Sequence, residues 1–335
     1  MRKPTSLVTG GAGFIGSHVV DHLLQMGHEV VVLDDLSGGF TRNVSEKAKL
    51  VTGSILDEKL LDMLFKKYRF NYVYHLAAYA AEGLSHFIRH FNYKNNLVGS
   101  INLINRSVLY KTRRFIFTSS IAVYGANQTP MREDMEPQPE DPYGIAKYAI
   151  ELDLKAAHHM FGLEYTIFRP HNVYGERQNH GDPYRNVLGI FVNSIMLGKP
   201  MTIFGDGSQT RAFSYIDDVA PHIAHCIEYK KTINQIYNIG ADIPYSVKDL
   251  AHTMANAMNV KPYIKYLQAR KEVLHAYSDH SKVKKHFKIK KTVDLITGVE
   301  RMVQWAQEIG PLKTSKFKNI EVAHNMPPSW KKLVE

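Results

Sequence analysis

The chain of 335 residues has a single cysteine, Cys226, so no intrachain disulfide framework can form and a reducing, cytoplasmic setting is expected. No apolar run approaches the roughly 18 residues that a membrane-crossing helix requires, so no membrane partner is expected. The opening MRKPTSLVTGG shows no signal-peptide apolar stretch and passes straight into a motif. Acidic residues are scarce, with 32 Asp and Glu against 42 Lys and Arg and a formal net charge of +10. Such a surplus raises the question of nucleic-acid binding. The densest basic stretch, KVKKHFKIKK at 282–291, carries neither paired zinc-ligand spacing nor an RNA-binding aromatic motif, and a solvated basic surface is expected there. The 17 histidines include no HExxH, and His158 and His159 are adjacent, poorly placed on a helix to share one ion. Neither a metal site nor a nucleic-acid partner is therefore expected. Internal repeats and low-complexity linkers are also missing.

What is present is a rhythm. SLVTG is followed by FIGSHVVDHLLQMG and EVVVLDD, then KLVTG, LDEKLLDMLFKKY and NYVYHLAA. Strand-length apolar runs alternating with helical periodicity predict an α/β fold, a Rossmann-type doubly wound parallel sheet buried on both faces. After about residue 170 the rhythm gives way to Gly-, Pro- and Asn-rich loops with scattered elements. That composition suits a smaller α/β substrate-binding domain over the carboxyl ends of the strands. The boundary is placed between 1–170 and 171–335, with the chain expected to cross back at least once. The polar, Pro-containing end from 311 to 335 has no assignable role.

Two local patterns carry chemistry. In LVTGGAGFIGSHVV the glycines Gly10, Gly13 and Gly16 sit where the first strand turns into the first helix, and Gly11, Gly13 and Gly16 also fit G-x-G-x-x-G. Glycines there allow a tight turn and let a pyrophosphate approach backbone at a helix amino terminus. Asp34, ending the second strand, is where a carboxylate would accept hydrogen bonds from an adenosine ribose, favouring NAD over NADP; Arg42 is the nearby cation that could reverse that preference. The second pattern is PYGIAKYAIE at 142–151, which puts Tyr143 and Lys147 one turn apart on one helix face. An ammonium beside a phenol favours phenolate, so the pair could be an acid/base device, although the spacing also suits an ordinary helix surface.

TGGAGFIG, DDLS, HLAA (75–78), FTSSIAVYG (117–125) and Y-x-x-x-K, in that order, resemble the extended short-chain dehydrogenase/reductase family, in its nucleotide-sugar epimerase and dehydratase branch. RPHNVYGERQ (169–178) and GDGSQTRAFSYIDDVA (205–220) extend the resemblance, which covers about the first 285 residues. It implies NAD as cofactor and Tyr143, Lys147 and Ser120 as catalytic residues, Tyr143 acting as base and Ser120 binding the reacting oxygen. It also implies a cofactor path lined by Gly10, Gly13, Phe14, Ile15, Gly16, Asp34 and Asp35. Ser54 and Ile55 would border the adenine, Leu76, Ala77 and Ala78 the ribose and nicotinamide, with Asn96 in support and Pro170 nearby.

For a nucleotide-diphosphate sugar, Asn172 and Arg211 match diphosphate-binding positions, and Asn186, Val187 and Phe204 match positions around the nucleotide. Glu82, in HLAAYAAEGLS, is an unusual acid near the expected sugar. One departure concerns the base. Uridine-diphosphate epimerases often carry R-x-G-[DE]-V, whereas this chain reads ARKEVLHAYSD at 269–279; matching Glu272 and Val273 puts Ala269 on the Arg position and Arg270 one residue late.

The expected function is an NAD-dependent nucleotide-sugar 4-epimerase that transiently oxidises the sugar at its 4-position. A 4,6-dehydratase, a decarboxylase or a 4-dehydrogenase shares the first step, and Glu82 keeps a dehydratase in view. Against dehydration, Ile121 and Ala122 stand where dehydratases of the family carry Asp-Glu. A non-catalytic NAD- or RNA-binding protein is the remaining alternative; Ser120, Tyr143 and Lys147 together weigh against it. The resemblance also implies a homodimer through helices at roughly 92–109 and 143–161.

Overall fold

The computed structural model of the chain describes residues 3–126, 129–269, 273–314 and 317–334. Strand β1 (Thr5–Thr9) leads into α1 (Phe14–Gln25), then β2 (Glu29–Asp34), β3 (Lys49–Thr52), α2 (Glu58–Tyr68) and β4 (Tyr72–His75). Short helices α3 (Glu82–Ser85) and α4 (Arg89–Tyr93) precede α5 (Gly99–Leu109), β5 (Arg114–Thr118), α6 (Pro142–Phe161) and β6 (Glu164–Pro170). The second half runs through β7 (Val173–Tyr174), α7 (Val187–Met196), β8 (Met201–Phe204), β9 (Thr210–Ala212), β10 (Ser214–Tyr215), α8 (Ala220–His225) and β11 (Gln235–Ile239). It ends with β12 (Pro244–Ser246), α9 (Val247–Ala257), β13 (Ile264–Leu267), β14 (His275–Ala276), α10 (Ser281–Phe287), α11 (Leu295–Ile309) and α12 (Pro328–Val334).

The main sheet has seven strands in the order β3-β2-β1-β4-β5-β6-β11, and every neighbouring pair is parallel. The doubly wound sheet expected from the rhythm is therefore present. Its order reverses between β1 and β4, where such a sheet opens a crevice at the carboxyl ends of its strands. Both faces are covered, which is why the strands read as near-continuous apolar runs rather than alternating ones. Val19, Val20 and Leu23 of α1 pack with Ile223 and Ala224 of α8 on one face, over Val8, Val32 and Tyr74. On the other, Leu61 and Phe65 of α2, Leu103 of α5 and Ile150 and Leu154 of α6 cover Leu7, Val31 and Phe115.

Three small sheets, β10-β7, β12-β9-β14 and β13-β8, stand beyond the strand ends. From among them the chain returns as β11, pairing with β6 from Gln235–Thr166 to Ile239–Pro170. Two local departures from the sequence reading matter. The helix expected over 92–109 is interrupted by a π-helical turn at Lys94–Val98. The basic stretch is not simply solvated: Val283 and Phe287 of α10 are buried, and Lys282 Nζ donates to the carbonyl of Ile236 at 2.8 Å.

Candidate active site

The carboxyl ends of β1, β2, β4, β5 and β6 open into one cleft of about 1770 Å³. The glycine turn forms its floor. Gly10 adopts φ +73°, and a Cβ on Gly16 would lie 2.1 Å from the Gly10 carbonyl, so the turn closes only on glycine. Gly13 begins α1 with no side chain capping the helix and no acidic residue in its first turn, leaving amide donors and the positive helix end for an anion. Gly10, Gly13, Phe14, Ile15 and Gly16 all line the cleft.

Asp34, Asp35, Ser54 and Ile55 border the same end of the cleft. The Asp34 carboxylate accepts from the backbone N–H of Ala12 at 3.0 Å and of Leu36 at 2.9 Å. It is thereby fixed between the glycine turn and the end of β2, and burial raises its pKa against these hydrogen bonds. Arg42 stacks on Phe40 with its guanidinium 4.2 Å from the ring centroid and does not line the cleft. A pyrophosphate cradle with a carboxylate at the ribose position fits a dinucleotide lacking a 2′-phosphate.

Leu76, Ala77 and Ala78 continue the wall along β4. Asn96, expected in support of this path, is buried within the π-helical turn, and its neighbour Asn95 is the one that lines the cleft. Its amide accepts from the backbone N–H of Tyr79 at 2.8 Å and donates to the Tyr79 carbonyl at 3.1 Å. Both ends of the side chain are spent holding the backbone that follows Ala78.

Tyr143, Lys147 and Ser120 meet at the centre. Helix α6 starts there because Asp141 caps it, accepting from the backbone N–H of Gly144 at 3.0 Å, and Pro142 occupies its first turn. A Cβ on Gly144 would lie 2.5 Å from the carbonyl of Ala122. Glycine at that point lets the loop after β5, with Ser120, seat against Tyr143. Ser120 Oγ accepts from the backbone N–H of Ala122 at 3.1 Å and lies close enough to Tyr143 to favour its phenolate. Lys147 Nζ donates to the carbonyl of Thr118 at 2.7 Å and stands 5.7 Å from the Tyr143 ring centroid.

Burial pushes the Tyr143 phenol above its usual pKa, the Ser120 hydrogen bond opposes this, Glu82 and Asp141 add to the rise, and Arg185 works against it. Burial pulls the Lys147 ammonium down to about 7, against the attraction of the Glu151 carboxylate one turn further on. Glu151 is itself held in a buried ion pair with Arg169, whose Nε donates to it at 2.9 Å, and it accepts from Ser119 Oγ at 2.6 Å.

On the substrate side, Glu82, Asn172, Asn186, Val187, Phe204 and Arg211 all line the cleft, as does Pro170, expected with the cofactor. Asn172 takes φ +40°, a left-handed backbone that Asn tolerates better than most residues. Asn186 caps α7: its Oδ1 accepts from the backbone N–H of Leu188 at 3.0 Å, and its Nδ2 donates to the Val173 carbonyl at 2.6 Å. The Arg211 guanidinium donates to the carbonyls of Thr210 at 2.8 Å, Leu274 at 3.0 Å and Val273 at 2.6 Å, which fixes its direction. Ala269 and Val273 also line the cleft; Arg270 and Glu272 lie outside the described residues.

The motifs did not point to Arg185. It stacks 4.8 Å over the Tyr79 ring, pairs with Asp182 at 2.9 Å and lines the cleft close to Gly38, beside the loop after β2. Nor did the motifs point to the carboxyl-terminal stretch, although Met326 and Trp330 line the cleft as well. The only available signal was a few large apolar residues in a polar tail.

Residues 6–240 match the family model described as "NAD dependent epimerase/dehydratase family". A putative UDP-glucose 4-epimerase of Methanocaldococcus jannaschii is 36% identical over 305 residues, covering 89% of this chain and 97% of the relative. The crystal structure of UDP-glucose 4-epimerase from Thermotoga maritima with UDP-glucose superposes with a TM-score of 0.87 at 35% identity, covering 91% of this chain and 99% of its own. That of Thermus thermophilus UDP-glucose 4-epimerase with NAD gives 0.83 at 29% identity, covering 90% and 98%. Sheet order, glycine cradle, tyrosine–lysine pair and these likenesses agree: the chain belongs to the NAD-dependent epimerase/dehydratase family, with NAD as its cofactor.

Proposed function

We propose that this NAD-dependent nucleotide-sugar 4-epimerase acts on uridine-diphosphate sugars. The convergence of Ser120, Tyr143 and Lys147 in one cleft with Arg211 carries the reaction, and the choice of uridine rests on the likeness to UDP-glucose 4-epimerases. NAD, when bound, supplies the hydride acceptor and donor and, in its oxidised form, a positive charge. Tyr143 Oη takes the proton from the sugar 4-hydroxyl and later returns it, with Ser120 hydrogen-bonding the same oxygen. Burial opposes the phenolate, so nearby positive charge is what makes it accessible; Lys147 contributes part of it. Arg211, its guanidinium held by the carbonyls of Thr210, Leu274 and Val273, presents its positive charge to the diphosphate, while the segment up to residue 170 chiefly holds the cofactor and that from 171 the nucleotide sugar.

Ile121 and Ala122 line the cleft beside Ser120 and can neither give nor take a proton. This favours inversion over water loss. With UDP-glucose, the expected product has unchanged mass and an inverted 4-position by NMR, without accumulating NADH. Tyr143→Phe should keep NAD while turnover drops by roughly two to four orders of magnitude. A product lighter by one water would overturn the reading and make Glu82 the first residue to replace.

The proposed setting is cytoplasmic and the proposed assembly a homodimer. Val98, Leu109, Leu152 and Phe161 are exposed along α5, α6 and the turn before α5, an apolar face suited to a second copy. Leu152→Glu should then sediment as a monomer; an unchanged sedimentation coefficient would argue against this face.

A further inference from the structure

His171 sits between Pro170, the end of β6, and Asn172, and it lines the cleft. Its Nδ1 is 3.0 Å from the carbonyl of Ala212, the residue after Arg211 in β9. Its Nε2 is 3.0 Å from Nε2 of His280, and the two rings stack with centroids 5.0 Å apart. His280 Nδ1 is in turn 2.8 Å from Oδ1 of Asp242, whose other oxygen pairs with Lys284 of α10. Both histidines are buried, whereas the Asp242 side chain is 43% exposed. The backbone after β11 closes tightly over them: a Cβ on Gly240 would lie 2.7 Å from His171 Nε2.

The protons in this row follow by elimination. The Ala212 carbonyl only accepts, so His171 Nδ1 carries a hydrogen. Burial pulls His171 down to about 3, so that ring is neutral and its Nε2 keeps a lone pair. His280 Nε2 must then donate to it. The Asp242 carboxylate also only accepts, and its hydrogen bond with His280 is the chief reason its pKa falls to about 2. His280 therefore donates from both nitrogens, which only an imidazolium can do. A neutral His280 would leave one contact of the row without a hydrogen, at the cost of a buried hydrogen bond. Asp242 is the carboxylate that meets this charge. Asp279, the preceding residue, is turned to the backbone N–H and hydroxyl of Ser281, accepting at 2.9 and 3.0 Å. Arg169 of β6 is paired with Glu151, and the Arg211 guanidinium is directed at backbone carbonyls.

The row ends where a diphosphate would lie. Asn172 adjoins His171 and Arg211 adjoins Ala212, while the Asn172 carbonyl accepts from the backbone N–H of Ser214 at 3.2 Å. The segment carrying Asn172 is thus joined to the strand carrying Arg211 through the histidines' neighbour Ala212 on one side and Ser214 on the other. We infer that His171 and His280 are positioning residues for the substrate's diphosphate, with His280 held as an imidazolium by Asp242 so that every link in the row stays made. This rests on the nucleotide-sugar reading above and adds to it the residues that set the spacing of Asn172 and Arg211. No proton passes to the substrate in this role.

Nitrogen-15 NMR of the full-length NAD-bound protein with labelled histidine reads the protons without substrate, and calorimetry with UDP reads the diphosphate site without turnover. In the unmodified protein His280 should be protonated on both nitrogens and His171 on Nδ1 alone. Asp242→Asn keeps an accepting oxygen and removes the charge. It should make His280 neutral and weaken UDP binding roughly three- to tenfold, the worth of one hydrogen bond, with NAD content unchanged. Asp242→Glu should restore the imidazolium and most of the affinity. Lys284→Gln removes the other partner of Asp242, a solvent-exposed pair of little worth, and should leave UDP affinity within about twofold. A neutral His280 in the unmodified protein, an unchanged affinity in Asp242→Asn, or a loss shared equally by Asp242→Glu or Lys284→Gln would each overturn the inference alone. Absence of UDP binding by the unmodified protein would overturn the nucleotide-sugar reading together with it.

Discussion

Lys147 directs its ammonium at the carbonyl of Thr118, 2.7 Å away, and not at the hydroxyl of Tyr143. The ammonium stands 5.7 Å from the centroid of the Tyr143 ring. A buried ammonium costs folding energy whenever the unfolded chain would carry it in water. Its pKa falls from 10.5 to about 7 in the folded protein. Between those values the unfolded chain binds a proton that the folded one does not, so stability rises with pH across that window and the full penalty applies below it.

Lys147→Met should remove that rise. At pH 7 the NAD-free variant should match or exceed the parent in stability, with the difference shrinking toward pH 10.5. Its turnover should nevertheless fall by roughly two to four orders of magnitude, since the charge favouring the phenolate is gone. Urea unfolding across pH checks the first part; a variant several kcal/mol weaker at pH 7 would contradict it.

Glu151 and Arg169 form the buried pair beneath that lysine, their side chains 0% and 2% exposed. Glu151→Gln leaves the guanidinium without a counter-charge and should cost about 3–5 kcal/mol in denaturant unfolding. Replacing both partners with Leu and Met should recover most of it. If the double variant is as unstable as the single, the pair contributes more than mutual neutralisation.

Asp34→Asn should relax cofactor choice. The loss of one charge-assisted hydrogen bond to the ribose, with repulsion of a 2′-phosphate removed as well, predicts a fall of roughly tenfold or more in the NAD over NADP affinity ratio. Comparable binding of both dinucleotides by the unmodified protein would take Asp34 away from the ribose.

Arg211→Ala should weaken UDP binding by about 1.5–3 kcal/mol while NAD content is unchanged. Arg211→Lys should recover little, because a lysine cannot span the carbonyls of Thr210, Val273 and Leu274 while facing the diphosphate. Full affinity in the lysine variant would show that only the charge matters.

Much of this was legible in the residues because local rules and tertiary structure agreed. The strand rhythm up to Pro170 came from burial on both faces. The Gly10–Gly16 turn and the Tyr143–Lys147 spacing are short-range patterns whose geometry is local. What escaped was set by contacts far apart in sequence. Gly144 matters only because Ala122 lies against it. Strand β11 carries Asn238, whose place is set by a distant residue: it is buried and accepts from Tyr124 Oη at 2.8 Å. Arg185 follows no motif, and Phe317, Met326 and Trp330 are too widely spaced to show a period.

The return of β11 to the edge of β6 has a bearing on how the polypeptide can be made and divided. An amino-terminal fragment ending near residue 170 would leave Glu164–Pro170 as a bare strand edge and Tyr124 without its Asn238 partner. On a ribosome, the parallel sheet cannot close until residue 239 has emerged, so the intervening segment must wait or begin to organise first. A fragment ending near residue 170 should therefore not fold stably on its own. Heat should unfold both halves in a single cooperative calorimetric peak rather than in two.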